Sequence, residues 1–484
     1  MNTPQPSPAS FTPALVRIVA TVSVGFVVTQ LDVTIVNIAL ARLSSELHAG
    51  VARLQWIVDA YTLAFAVLML SGGVLGDRYG ARRLYAAGLV VFALASLACG
   101  LAATPGALIA ARALQGAGAA AMLPNSLALL NQACGHDRAL RARAVGWWTA
   151  AGAISIAAGP VIGGLLIAAF GWRSIFLVNL PLCAAGLAAT LAWVPADNAT
   201  NTASARSLDL RGQLLAIVAL TAFTGAVIEA RPLGFAHAAV VGGFVLAGVA
   251  AWAFVALEAR LADPMLPLAM LRNRTFSAAV RFGICVNLTY YGTVFVLALY
   301  LQHARGETPL QAGLAFLPLT GGFLLSNVVS GPVVARYGTR APMIVGALVA
   351  ALGYALLMLA DAGTPLAAIL LPFLLIPSGM GLAVPAMTTA VLGSVEPARA
   401  GTASAALNTA RQAGGAVGVA AFGALAGNGL AAQVVTGLHA EAAVSTALLL
   451  TAAWLARRVQ RGQRQKDEPA AMPGERKVQA DGSR

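Results

Sequence analysis

The sequence predicts an all-α polytopic membrane protein, two six-helix halves plus two inserted helices, with fourteen transmembrane helices and both termini cytoplasmic. Three observations carry this. The 484 residues are 59% hydrophobic and only 10% charged, where a soluble domain carries about 25% charged residues. Fourteen apolar runs each approach or exceed the length of about 20 residues that a bilayer core requires. An Arg-rich turn that follows the second run returns after the tenth.

The runs cover approximately 14–40, 52–76, 82–102, 106–131, 144–168, 174–194, 211–229, 236–257, 275–301, 310–334, 341–360, 364–391, 401–427 and 437–456. Loops after even-numbered runs hold the basic clusters: Arg78/Arg82/Arg83, Arg138/Arg141/Arg143, Arg206/Arg211, Arg260/Arg272/Arg274 and Arg336/Arg340. Loops after odd-numbered runs hold few. The positive-inside bias places the basic loops in the cytoplasm, and an even number of spans places both termini there too. The net charge of +13 then follows from topology and needs no nucleic-acid partner. Fifty glycines suit closely packed membrane helices, and the alternating short strands of a barrel are absent from the pattern.

The expected organisation is a cytoplasmic tail over 1–13, a first six-helix half over 14–194, a linker region with two extra spans over 195–274, a second half over 275–456, and a basic, disordered cytoplasmic tail over 457–484. Lipid binding by that last tail is the lesser reading. The first run is too long for a signal peptide and holds Asp32, so it reads as a retained span. Cys99, Cys134, Cys183 and Cys285 are scattered and read as small apolar residues. The histidines lack ligand spacing, so no metal and no cofactor is expected. The only lysines, Lys466 and Lys477, do not follow glycine, which excludes a Walker-type phosphate loop and an ATP-driven pump. No nucleophile triad stands out, and no enzymatic activity is expected.

The chemistry centres on Gln30-Leu31-Asp32-Val33-Thr34-Ile35-Val36-Asn37 in the first run. A carboxylate in hydrocarbon costs about 2.5–3.5 kcal/mol on insertion scales, so an acid is kept there for a function. At 1.5 Å per residue, Asp32 lies about 12 Å from the outer end of its helix, Asp59 about 10 Å, Arg112 about 9 Å, and Gly159 and Pro160 about 12–13 Å. Two acids and one arginine at a common depth make a proton site with a charge partner. The competing reading is a permanent ion pair that holds the bundle together.

Gly72-Gly73-Val74-Leu75-Gly76-Asp77-Arg78-Tyr79-Gly80-Ala81-Arg82-Arg83 after the second run is matched by Ser330-Gly331-Pro332-Val333-Val334-Ala335-Arg336-Tyr337-Gly338-Thr339-Arg340 after the tenth. Two similar halves of this kind are a transporter signature. Gly73, Gly76 and Gly80 permit close approach and a tight turn. Asp77 sits at a helix C-terminus that disfavours an acid, so it needs a basic partner or another helix N-terminus. Pro160 removes a backbone hydrogen bond and kinks its helix, and Gly163 and Gly164 give the kink a smooth face.

These stretches resemble the major facilitator superfamily, in particular its 14-helix drug–proton antiporter branch, the EmrB/QacA-like exporters. Asp32 to Leu40 resembles that branch's first-helix motif, Gly73 to Arg83 the loop after the second helix with Ala81 where Arg is common, and Arg112-Ala113-Leu114-Gln115-Gly116-Ala117-Gly118 the fourth-helix motif. Gly159-Pro160-Val161-Ile162-Gly163-Gly164 resembles the fifth-helix antiporter motif. Trp172-Arg173 with Phe176, Asn179 and Pro181, and Ala410-Arg411-Gln412-Ala413-Gly414-Gly415, complete the set. The resemblance implies the major facilitator fold, proton coupling at Asp32, Asp59 and Arg112, and gating by Gly73, Asp77, Arg78, Gly80, Arg82, Gly159, Pro160, Gly163 and Gly164. Ala335 stands where the second-half loop lacks the acid of the first.

A substrate cavity is expected between the halves near midplane. Its candidates are Gln30, Asn37, Tyr61 and Gln115 from the first half, and Asn287, Tyr290, Tyr291, Asn327, Asn408, Arg411 and Gln412 from the second. Each amide has the alternative of bridging helices, and the tyrosines that of ordinary packing. Arg281 reads as snorkelling to the interface. The implied function is proton-coupled export of amphipathic, toxic small molecules across the bacterial inner membrane, with the charge preference of the cargo left open. Its partners are substrate, protons and the bilayer, with a periplasmic adaptor left open. The alternatives are an uptake symporter or dedicated metabolite exporter of the same fold, or a channel or non-transporting sensor.

Overall fold

The computed structural model describes residues 11–135, 137–196, 209–261, 268–396 and 400–460. The expected tails fall outside these from 461 onward and before 11. So do 197–208 and 262–267 of the linker region, Arg206, and the side chain of Arg138.

Among the described residues every regular element is helical, and fourteen long helices follow one another. The first half holds α1 (Pro13–Leu47), α2 (Val51–Tyr79), α3 (Ala81–Leu101), α4 (Pro105–Cys134), α5 (Arg138–Phe170) and α6 (Ser174–Trp193). An inserted pair follows, α7 (Leu210–Leu233) and α8 (Ala238–Glu258). The second half holds α9 (Arg274–Ala304, ending in a π-turn over Tyr300–Ala304), α10 (Pro309–Tyr337), α11 (Arg340–Leu357), α12 (Leu366–Gly393), α13 (Ala400–Leu425) and α14 (Ala431–Ala456). Thirteen of them are long and apolar enough to cross a membrane. The remaining one, α13, is 26 residues long but is interrupted by Asn408, Arg411 and Gln412.

Caps explain most boundaries. Thr12, Thr104 and Asp137 accept backbone N–H bonds at the starts of α1, α4 and α5, as N-cap residues do. Gly80, at φ +101°, turns α2 into α3. The last helix departs from the sequence expectation. Gly427 and Gly429, at φ +71° and +84°, end the preceding connection, so α14 starts at Ala431 rather than at 437. In its first turns His439 lies 2.9 Å from the Ala360 carbonyl, and Glu441 accepts from Thr293 and Ser445 through one of its two oxygens.

In the first half α4 packs between α2 and α3, and α1 lies along α5. The second half repeats this, with α12 between α10 and α11 and α9 along α13. The halves meet where α2 faces α13, and where α5 faces α10. Gln55 Nε2 donates to the carbonyls of Val419 and Ala420 at 3.1 and 2.6 Å. Gly164 of α5 leaves no space for a Cβ, which would sit 2.8 Å from Leu310 Cα, and Gly313 of α10 packs directly on the Pro160 carbonyl. These contacts crowd the end of the bundle with the short, Arg-poor connections. The inserted pair rides on α2: Trp56 donates to Glu229 of α7 at 3.4 Å, and Gln213 of α7 donates to the Val67 carbonyl at 2.5 Å.

Candidate functional site

Asp32 is fully buried, as is Arg112 at 1% exposure. The Arg112 guanidinium pairs with Asp32 Oδ2, donates from Nε to the Ile57 carbonyl at 3.1 Å, and lies over the Tyr61 ring, 4.4 Å from its centroid. Gln115, one turn along α4, accepts from Arg112 at 2.7 Å and donates to Asp32 Oδ1 at 2.7 Å. Asn179 of α6 donates to the same oxygen at 3.2 Å. Ser96 of α3 accepts from Gln115 at 2.9 Å. Five helices thus contribute to one cluster, in which α4 and α6 bond the carboxylate carried by α1 and α2 and α3 hold its partners. A buried charge is tolerated when its partner and its lone pairs are supplied together, and this cluster supplies both. Ser96 was not legible in the sequence, and Asn179 only as part of the Trp172 to Pro181 stretch.

Asp59 lies elsewhere. It sits one helical turn along α2 from Gln55, on the face turned toward α13. It is fully buried, and neither carboxylate oxygen has a hydrogen-bond partner. The common depth that the sequence suggested for two acids and one arginine resolves into one pair and one lone acid.

Between the halves lies a cavity of about 210 Å³. Eight of the eleven sequence candidates line it: Gln30, Asn287, Tyr290, Tyr291, Asn327, Asn408, Arg411 and Gln412. Tyr290 and Tyr291 meet edge to face with centroids 5.5 Å apart, and Tyr290 packs on Phe323. Phe26, stacked on Trp148, forms part of the opposite wall. Arg411 donates from Nε to Asn287 Oδ1 at 3.1 Å; it is the single charged residue in the lining, which contains no acid. Asn37 lies off the main cavity, in a constriction of about 10 Å³ with Pro160, Phe316 and Thr320, a space for about one water. Tyr61 and Gln115 face the Asp32 cluster, where Tyr61 donates to the Thr29 carbonyl at 3.3 Å.

The gating candidates fall into two groups. Gly159 packs on the Thr34 side chain and Gly163 on Ile35, while Pro160 and Gly164 face α10. The Gly159–Gly164 stretch of α5, which stays helical through Pro160, is therefore wedged between the Asp32 helix and the second half. The other group closes α2. Asp77 and Arg78 are exposed, Arg78 lies 5.5 Å from the Tyr79 ring centroid, Gly80 makes the turn, and Gly73 has an ordinary 3.7 Å approach to Pro124. Arg82 donates to the carbonyls of Thr190 and Leu191 at 3.3 and 2.8 Å, tying this turn to the C-terminal end of α6, where a cation suits the dipole.

Two buried acids were missed by the sequence reading, Glu258 at the end of α8 and Glu441 of α14. Glu441 of α14 is fully buried and accepts from Thr293 at 2.8 Å and Ser445 at 3.3 Å. The Gly427-Asn428-Gly429 turn signal was the cue, because it starts α14 early enough to carry Glu441 deep into the bundle.

The profile of the Major Facilitator Superfamily matches residues 22–419. The chain is 40% identical over 411 residues to the methylenomycin A resistance protein of Streptomyces coelicolor, covering 85% of each. It is 37% identical over 430 residues to the multidrug resistance protein Stp of Mycobacterium tuberculosis, covering 89% of this chain and 79% of that one. Among solved structures it resembles the human organic anion transporter MFSD10, with a TM-score of 0.65 at 16% identity, covering 92% of this chain and 100% of that one.

Proposed function

The chain belongs to the Major Facilitator Superfamily, and from that premise we propose that it is a proton-coupled exporter of amphipathic small molecules. It works by alternating access in the bacterial inner membrane, with both termini in the cytoplasm. The halves over 14–194 and 275–456 rock against each other, and the inserted pair moves with α2. The cargo is moved without chemical change.

One observation carries this reading. Asp32 and the cavity share α1: Gln30, Val33 and Thr34 line the cavity, while Asp32 between them turns to Arg112. A proton arriving on Asp32 removes the negative half of a buried pair, frees Arg112 and Gln115 to re-pair, and unsettles the α1 face that touches cargo. Cargo and proton then compete through one helix rather than one site. The naming of relatives as resistance proteins supports export over uptake. The backbone contacts of Gly164 and Gly313 crowd the Arg-poor end, which supports loading of cargo from the side with the basic loops.

The lining narrows the cargo. With Arg411 as its one charge, the cavity suits neutral or acidic amphiphiles with a flat apolar part against Tyr290 and Tyr291. Asp32 and Asp59 are not among the lining residues, so neither acid favours a cationic cargo there. Inside-out vesicles with an imposed pH gradient test the proposal. Gradient-dependent, saturable uptake of an acidic aromatic dye into the lumen is expected; uptake that ignores the gradient, or that runs only in right-side-out vesicles, overturns it.

A further inference from the structure

Glu441 has features that packing alone does not explain. Its Oε2 accepts from Thr293 and Ser445, but Oε1 is buried with no partner. Among the described residues no cation pairs with it. The titratable groups on the helices packed around α14 can be named. Tyr354 of α11 is fully buried, with its hydroxyl beside Thr293 and Thr289 but without a well-formed bond to either. Tyr290 of α9 lines the cavity. Arg411 of α13 is held on Asn287, and His303 of the π-turn lies 3.2 Å from the Gly429 carbonyl. On α14 itself His439 lies 2.9 Å from the Ala360 carbonyl.

The placement mirrors the first half. Thr293 stands as far into α9 as Asp32 does into α1, counted from the helix starts. Phe373 stands as far into α12 as Arg112 into α4, and it is buried at 1% exposure. Glu441 is within one residue of the Asn179 position, counted back from the ends of α14 and α6. So the second half keeps a polar cluster at the equivalent meeting of helices. It moves the acid from the first helix to the sixth and replaces the arginine with phenylalanine. An ionised carboxylate with two neutral donors, one bare oxygen and no cation is far costlier there than a neutral carboxyl.

We propose that Glu441 is a second proton-binding site, the counterpart in the second half of the Asp32 site, and that it carries its own coupled proton. The proton binds to and leaves the carboxyl as H⁺, beside α9, whose Thr293 donates to it. No bond to carbon changes. The coupling clause rests on the proton-coupled reading of the whole protein, but binding of the proton does not.

The test takes these two parts separately. Infrared spectra of the purified, reconstituted full chain are recorded across a pH series for wild type and Glu441→Gln. The glutamine keeps an acceptor for Thr293 and Ser445. A carboxyl C=O band that titrates in wild type and is missing in Glu441→Gln supports the site, and identical spectra in the two overturn it. Thr293→Val removes one donor to the same carboxyl; a shift of that band makes the assignment even where the glutamine variant folds poorly, and an unshifted band refutes it. In proteoliposomes with a 100 mV potential, losing one charge-moving proton lowers the limiting cargo ratio about 50-fold, and that fall is expected for Glu441→Gln. An unchanged ratio beside a titrating band overturns the coupled role. If wild type itself accumulates no cargo in response to the gradient, the exporter reading fails, while the infrared result still decides whether Glu441 binds a proton.

Discussion

Arg112 of α4 pairs with Asp32 of α1, and in doing so leaves Asp59 of α2 without a cation. The two acids therefore make different predictions. Asp32→Asn abolishes gradient-driven export, but it also strands a buried guanidinium, and breaking a buried pair from one side costs about 3–5 kcal/mol. The single variant should lose thermal stability as well as transport. The double variant Asp32→Asn with Arg112→Gln should regain most of the melting temperature and none of the export. Melting in detergent and efflux in vesicles separate the two effects; export that returns with stability would reduce the pair to a structural tie.

Asp59→Asn removes no hydrogen-bond partner, so the folded protein should tolerate it, with its melting temperature kept or raised. Export should nevertheless lose its dependence on the proton gradient if Asp59 takes part in coupling at the α2–α13 seam. A melting curve that drops by several degrees would show instead that the carboxyl holds the seam together.

The sequence was most legible where physics acts along one helix. Apolar runs marked most spans to within a few residues, because a bilayer demands length and hydrophobicity from each one separately; α1 runs on to Leu47 past the expected 40, and α14 begins at Ala431. Eight of the eleven cavity candidates lie in the lining, since polar groups in such helices have few places to go. Pairings between helices were harder to read. Depth put Asp32, Asp59 and Arg112 at one level, but depth says nothing about rotation about the helix axis. It is rotation that gives Arg112 to Asp32 and turns Asp59 toward α13. The same ambiguity hid Ser96. Glu441 was hidden by a boundary placed at 437, because the polar start of α14 looks like a loop until the Gly427 and Gly429 turn is recognised.

Gly313 and Gly164 form the backbone seam between α5 and α10, with no room for a side chain. Gly313→Val or Gly164→Val should push the halves apart at the Arg-poor end. Overpacking of this kind costs about 1–3 kcal/mol, and each 1.4 kcal/mol shifts the ratio of closed to open conformers about tenfold. Both variants should favour opening toward that end, with export down by about 10-fold or more. Accessibility of a cysteine placed at Asn37 to an impermeant thiol reagent reads the shift directly: labelling should rise in both. Unchanged labelling beside lost export would detach the seam from gating.

Arg411 supplies the one charge in a cavity that has no acidic lining residue, and its Nε is already committed to Asn287. Replacing it with glutamine keeps a polar side chain able to bond Asn287 but removes the charge. Charge-assisted hydrogen bonds contribute about 1.5–3 kcal/mol. Affinity for an acidic aromatic cargo should therefore fall by about 10- to 100-fold, while a neutral aromatic of the same shape changes little. Cationic cargo should bind better than before, because the repulsion it met is gone. A competition series with matched acidic, neutral and cationic dyes measures all three directions at once. Equal losses for all three would mean that Arg411 shapes the wall through Asn287, and the selection for uncharged and acidic cargo would then have to be sought in Gln30, Asn327 and Asn408.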